Sequence, residues 1–157
     1  LINLAAPTAP GDATNKGYVD ALVLSGGTPD HISFTYSLLL QNQTDIEAYA
    51  YSTFVKRNML PHAGSLVKIV AQYEGAITVG TILVEPTIDG VKVVPGGLDL
   101  TLDSAVGGTE KYAEVAPSTA GYTFTAGQKI GIMLTTSAIL TTQTKDIKID
   151  LYFVLNG

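Results

Sequence analysis

The sequence predicts an all-β fold, an antiparallel two-sheet β-sandwich of jelly-roll type preceded by a short N-terminal helix. Three observations lead there. Beyond residue 28 the chain is a series of short apolar or alternating stretches, divided by Gly-, Pro- and Asp-containing turns at intervals of about 8–14 residues. No stretch in that region has the helical period of about 3.6 residues, which removes βαβ architectures. The composition, 46% hydrophobic and 15% charged over 157 residues, suits one well-buried domain and excludes a disordered chain.

Gly11-Asp12 is a helix start, because the Asp12 carboxylate can accept from the free amides of the first turn and suits the positive end of the dipole. The helix is expected over residues 13–24, with Thr14, Tyr18, Ala21 and Leu22 on one side and Val19 at its margin. Gly17 weakens it by about 1 kcal/mol, and a helix of this length is marginal alone in water. It must therefore pack on copies of itself or on the following domain. Ser25-Gly26-Gly27-Thr28-Pro29 reads as a hinge, so residues 1–27 form a lead and helix and residues 28–157 the sandwich domain.

The first strand is expected over residues 33–40, with Phe34, Tyr36, Leu38 and Leu40 on one face. Residues 46–55 offer two half-apolar faces. Val67, Ile69, Ala71 and Tyr73 alternate with Lys68, Val70 and Gln72, while residues 78–84 are apolar on both faces, as in a covered central strand. Asp89-Gly90 is a hairpin turn leading into residues 91–94. Pro95-Gly96-Gly97 turns the chain into Leu98, Leu100 and Leu102, with Asp99, Thr101 and Asp103 outward. A weaker strand follows at residues 111–115. Tyr122 and Phe124 then lead through Ala126-Gly127 into Ile130, Ile132 and Leu134. Residues 146–155 close the chain with Ile147, Ile149, Leu151, Phe153 and Leu155 inward.

A net charge of −5 with scattered Lys and Arg opposes binding to a nucleic-acid backbone. No apolar run approaches the ~20 residues of a membrane span, so membrane insertion is not expected. The absence of Cys removes disulfides and thiolate metal sites. Of the two histidines, His31 lies beside Asp30 at the hinge and His62 follows Pro61 in a turn; neither has the setting of a catalytic or metal-binding group. Asp99 and Asp103, four residues apart on one strand, are separated by about 13 Å. A glycosidase pair needs roughly 5–9.5 Å. Asp146, Lys148 and Asp150 form an alternating row that protects a solvated face or edge. No catalytic residue, cofactor or metal is assigned, and the chain is read as a non-enzyme.

The remaining chemistry is that of binding. Tyr36, Tyr73 and Tyr122 fall on apolar faces, whereas Tyr49, Tyr51, Tyr112 and Tyr152 alternate outward or lie near turns. Tyr49 and Tyr51 are assigned to subunit packing. Tyr112, whose strand follows the loop at residues 104–109, is the candidate receptor contact. The low charge content and the strands lacking a polar face, at residues 78–84 and 130–134, predict burial between copies or a covered central strand.

Ile2-Asn3-Leu4-Ala5, Pro7, Asp12-Ala13, Asn15-Lys16 and Tyr18-Val19-Asp20 together resemble the recurring junction of bacteriophage fibre proteins. In that family three chains meet at this junction ahead of a distal knob. The sandwich resembles, in architecture alone, the jelly-roll heads of viral fibres and of trimeric ligands of the tumour-necrosis-factor type. The resemblance implies a homotrimer with Tyr18, Val19 and Leu22 at the subunit interface, located on the outside of a virion. Because the chain begins at Leu1, it is expected to be the C-terminal part of a longer protein, with an N-terminal shaft and other virion proteins as partners. The implied function is adhesion by the knob to a host-cell surface receptor, a glycan or a protein. The alternatives are a capsid head fibre or decoration protein, and a glycan depolymerase with a site between subunits.

Overall fold

The computed structural model describes residues 29–37, 39–50, 55–93, 97–105, 110–117, 119–142 and 146–156. The lead, the expected helix and the expected interface residues Tyr18, Val19 and Leu22 lie outside the described residues, as do Leu38, Tyr51 and residues 94–96. All regular elements among the described residues are strands. In chain order they are β1 (Asp30–Tyr36), β2 (Ile46–Glu47), β3 (Tyr49–Ala50), β4 (Arg57–Met59) and β5 (Gly64–Tyr73). Next come β6 (Ile77–Val79), β7 (Ile82–Ile88), β8 (Val91–Lys92), β9 (Leu100–Leu102) and β10 (Glu110–Glu114). The last are β11 (Thr123–Phe124), β12 (Lys129–Thr136), β13 (Thr141–Thr142) and β14 (Ile147–Leu155).

Among the described residues two six-stranded antiparallel sheets result, with β6 and β13 as a separate two-stranded pair. One runs β10-β5-β14-β1-β3, with β11 also pairing β5; the other runs β2-β12-β7-β8, with β4 also pairing β12 and β9 also pairing β7. A simple rule underlies this order. Apart from β3, which pairs with β1, each early strand of the two sheets pairs antiparallel with a late one: β1 with β14, β2 and β4 with β12, β5 with β10, and β7 with β9. The chain is thus a long folded ribbon, with its centre between β7 and β9, wrapped so that alternate pairs fall in opposite sheets. That is the jelly roll, and the expected fold class is the observed one.

The core lies between the sheets. Phe34 from β1, Ile149 and Leu151 from β14, and Ile69 and Ala71 from β5 face Ile130, Ile132 and Leu134 from β12, Ile82 and Val84 from β7, and Leu100 and Leu102 from β9, all buried. These are the positions that period-two alternation selects. The Asp89-Gly90 hairpin forms as expected, with φ of 53° and 81° at its two residues, the positive pair that a two-residue turn of matching twist demands.

Several boundaries differ from the sequence expectation. The first strand ends at Tyr36, so Leu39 is buried and Leu40 is exposed, and residues 33–40 do not keep one phase. Asn42, at φ 57°, turns the chain beyond it. Residues 46–55 split between sheets: β2 pairs β12, while β3 crosses to pair β1. Residues 78–84 are not one covered strand, because Gly80 at φ +90° separates β6, which pairs β13, from β7. The Ala126-Gly127 turn forms where expected and carries the chain from β11 in one sheet to β12 in the other. Leu155, expected inward, is 37% exposed at the end of β14. The register of β14 against β5 slips so that Tyr152 faces Lys68 but Phe153 faces Leu66, which leaves Val67 as the extra residue of a bulge.

Pro86 is unexpected inside a central strand, since it cannot donate to a ladder. Its carbonyl accepts from Val93 N, so its nitrogen points to the same side of β7. On that side β9 pairs only as far as Val84 and β8 begins at Thr87. The missing donor therefore falls in the gap between two partner strands and breaks no ladder bond.

Candidate functional site

Tyr112 lies at the middle of β10 on the outer face of the first sheet and is 69% exposed. Strand register arranges this face in three rows. The middle row is Ser33, Asp150, Val70 and Tyr112, taken across β1, β14, β5 and β10. One flanking row is Thr35, Lys148, Gln72 and Glu110; the other is His31, Tyr152, Lys68 and Glu114.

Side chains along the rows hold one another. The Lys68 ammonium stands 5.1 Å from the centre of the Tyr112 ring and pairs with Glu114 at 2.5 Å. Gln72 Nε2 donates to Glu110 Oε1 at 3.1 Å. The His31 and Tyr152 rings stack with centroids 5.3 Å apart. Asp150 accepts from Ser33 Oγ at 2.5 Å and from Lys148 Nζ at 2.8 Å. The Glu114 hydrogen bond raises the Lys68 ammonium above its ordinary range, so it stays charged. Burial pushes the Asp150 carboxyl upward, but the hydrogen bonds from Lys148 and Ser33 outweigh it and hold the group low. At one rim, Thr35, Gln72, Glu74, Asp146 and Lys148 border an open, shallow depression.

The sequence singled out Tyr112 and the alternating row at Asp146, Lys148 and Asp150, and both are on this face. It did not single out Lys68 or the pairing of His31 with Tyr152. These become partners only through the register of β5 against β10 and of β1 against β14, which no local pattern announces. Tyr73 and Tyr122 are buried as expected; the Tyr122 hydroxyl accepts from Gly97 N. Tyr36 is half-buried and stacks on Tyr49, beneath the Lys56 ammonium. His62 is exposed in its turn.

The outer face of the second sheet is tied by ion pairs. Glu47 holds Arg57, and Lys92 bridges Asp45 and Glu85 at 2.6 Å each. Asp99 sits beside Glu85 and Lys92, while Asp103 turns to Lys111 at 3.3 Å, so these two carboxylates serve different neighbours. Among the described residues, no group of three or more His, Asp or Glu is placed to hold a metal ion, and no helix is long and apolar enough to cross a membrane.

Exposed apolar side chains are concentrated at the two ends. Leu40, Ile139 and Val79, the last residue of β6, project where β12 finishes and β7 begins. Met59 and Val91 project at the opposite end.

No protein-family model matches the chain, and no curated protein is similar to it in sequence. Among solved structures, the fold is similar to a chain of the acidic stable capsid structure of Helicobacter pylori bacteriophage KHP30. That match has a TM-score of 0.50 and 10% identity, covering 82% of this chain and 89% of that one. A chain of the cyanophage Pam1 capsid asymmetric unit matches with a TM-score of 0.45 and 12% identity, covering 98% of this chain and 94% of that one. At these identities the first likeness concerns the fold alone, and the second carries no argument.

Proposed function

We propose that this chain is a structural protein of a bacteriophage virion, a jelly-roll knob carried on the outer surface as a capsid decoration or head-fibre protein. The observation that carries this reading is the jelly-roll fold, which over 82% of this chain is similar to a chain of a phage capsid structure. The N-terminal segment, which resembles the junction of phage fibre proteins, supports the same conclusion from a different part of the chain. A net charge of −5 favours the outer side of the shell, away from packaged nucleic acid. The role is non-catalytic. Three copies join through residues 1–27, with Tyr18, Val19 and Leu22 in contact, and the apolar ends of the sandwich supply further contacts to virion neighbours.

A tail-mounted receptor-binding fibre is the second reading, favoured by the fibre-type junction together with the open Tyr112 ring. Gold-labelled antibody against residues 29–157, applied to intact particles, separates the two. Label over the shell is the expected result. Label confined to the tail tip assigns the chain to the tail fibre. No label on particles whose disrupted proteins react with the same antibody overturns an exterior position altogether.

A further inference from the structure

We propose that the outer face of β1, β14, β5 and β10 binds a neutral polysaccharide chain, with Tyr112 and the His31–Tyr152 pair as its two stacking platforms. This goes beyond a structural role and does not depend on it.

The first support is geometric. Tyr112 is among the most exposed large side chains of the described residues, yet it is not loose, because Lys68 from the adjacent strand sits against its ring. An amphipathic ring held by one face and open on the other suits the apolar underside of a pyranose. Tyr152 stands two strands away and one row over, which at the usual strand spacing and rise places the two positions about 12 Å apart. That separation exceeds a single sugar ring, so the face fits a chain and not a monosaccharide.

The second support is chemical. Glu110 and Glu114 flank Tyr112 on its own strand, and each is held in place from β5, by Gln72 and Lys68 respectively. Fixed carboxylate oxygens beside an aromatic platform are acceptors for sugar hydroxyls, and holding them beforehand lowers the ordering cost of binding. The charge on the face selects among glycans. Its carboxylates are Glu110, Glu114 and Asp150, and its ammoniums, Lys68 and Lys148, are already paired with Glu114 and Asp150. Glu110 is held by a neutral amide. Among the described residues an acidic polysaccharide meets no unpaired ammonium on this face and is repelled by Glu110, whereas a neutral one is not.

The third support separates a glycan from a protein partner. Charged residues are depleted from the centres of protein interfaces, because desolvating ion pairs is costly. On this face Lys68 pairs with Glu114 within one row and Lys148 pairs with Asp150 between the other two, while most of the exposed aliphatic side chains lie at the ends of the sandwich. A sugar chain leaves those pairs hydrated while using the rings.

Affinity electrophoresis of the full chain tests the proposal, in gels containing dextran, yeast mannan or neutral envelope polysaccharide from the host, with polygalacturonate as the acidic comparison. At least one neutral gel should retard the protein, and polygalacturonate should not. Tyr112→Ala should weaken that retardation about tenfold, while Tyr112→Phe, which keeps the ring, should preserve it. Tyr112 is exposed, so neither variant disturbs the core. Retardation by no neutral gel, retardation by polygalacturonate alone, or retardation unchanged in Tyr112→Ala overturns the proposal. None of these results alters where the antibody label falls on the particle, so the two readings fail separately.

Discussion

At the scale of single residues, two aspartates, Asp150 in β14 and Asp99 just before β9, show how burial and partners compete. Burial, followed by the neighbouring Glu85 charge, pushes the Asp99 carboxyl up, with Lys92 opposing them. Asp150 is also pushed up by burial, but two hydrogen bonds and the Lys148 charge bring it below its ordinary value. The consequences for stability have opposite sign. A lowered carboxyl binds fewer protons folded than unfolded, so Asp150 contributes stability above its unfolded pKa that is lost as pH falls through the folded one. A raised carboxyl binds more protons folded, so ionised Asp99 costs stability once pH rises through its unfolded pKa, and protonation relieves that cost. Asp150→Asn should therefore lower the stability at pH 7 by about 1 kcal/mol, kept small by solvent screening. Asp99→Asn should raise it. Thermal melts at pH 7 and near pH 3 check both, and each difference should shrink at the acid end.

At the scale of elements, the sandwich is made by places where a strand is interrupted and not only by the strands themselves. Gly80 divides β6 from β7, and its positive φ is one that residues with a Cβ rarely adopt. A Cβ built there also collides with the Ile139 carbonyl and the Ser137 hydroxyl. Gly127, at φ +85°, has the same backbone demand but open space around it. Gly127→Ala should cost about 1 kcal/mol, the backbone term alone, and Gly80→Ala about 2 kcal/mol or more because the loop must also move. Urea denaturation of the two variants measures the difference; equal losses would mean that the 137–140 loop gives way freely around Gly80. Pro86 makes the same point in another form, because a residue that forbids a continuous ladder lies where two partner strands leave a gap.

At the scale of the whole molecule, the proposed trimer gathers three marginal features: the short glycine-containing helix expected from the sequence, a low charge content, and apolar side chains at the ends of the sandwich. Sedimentation over a wide concentration range should give three times the 16.4 kDa chain mass. Changing both Tyr18→Ser and Leu22→Ser should bring the mass down towards one chain on dilution, while the β circular-dichroism signal is kept. A double variant that stays trimeric would move the interface from the N-terminal segment to the sandwich ends. Three copies would also present three saccharide-binding faces at once, so that individually weak stacking adds through effective concentration.

Much of this protein was determined by its sequence alone. Period-two alternation identifies the inward residues of β9 and β12 and, apart from Val67 at the bulge and Leu155 at the strand end, those of β5 and β14, and Asp89-Gly90 identifies its hairpin, because side-chain direction in a strand and positive φ in a turn are local properties. Tyr112 was legible as an outward ring for the same reason. Only the tertiary structure decided which strands are neighbours. The passage of residues 46–50 from one sheet to the other, the break at Gly80 and the crossing at Ala126-Gly127 all follow from wrapping a ribbon around a common core. The candidate face belongs to that second class. Lys68 meets Tyr112 across a separation of many residues, and His31 meets Tyr152 from the other end of the domain. Register set by the buried faces brings them together, so the alternation that was readable strand by strand became a binding surface only when four strands were aligned.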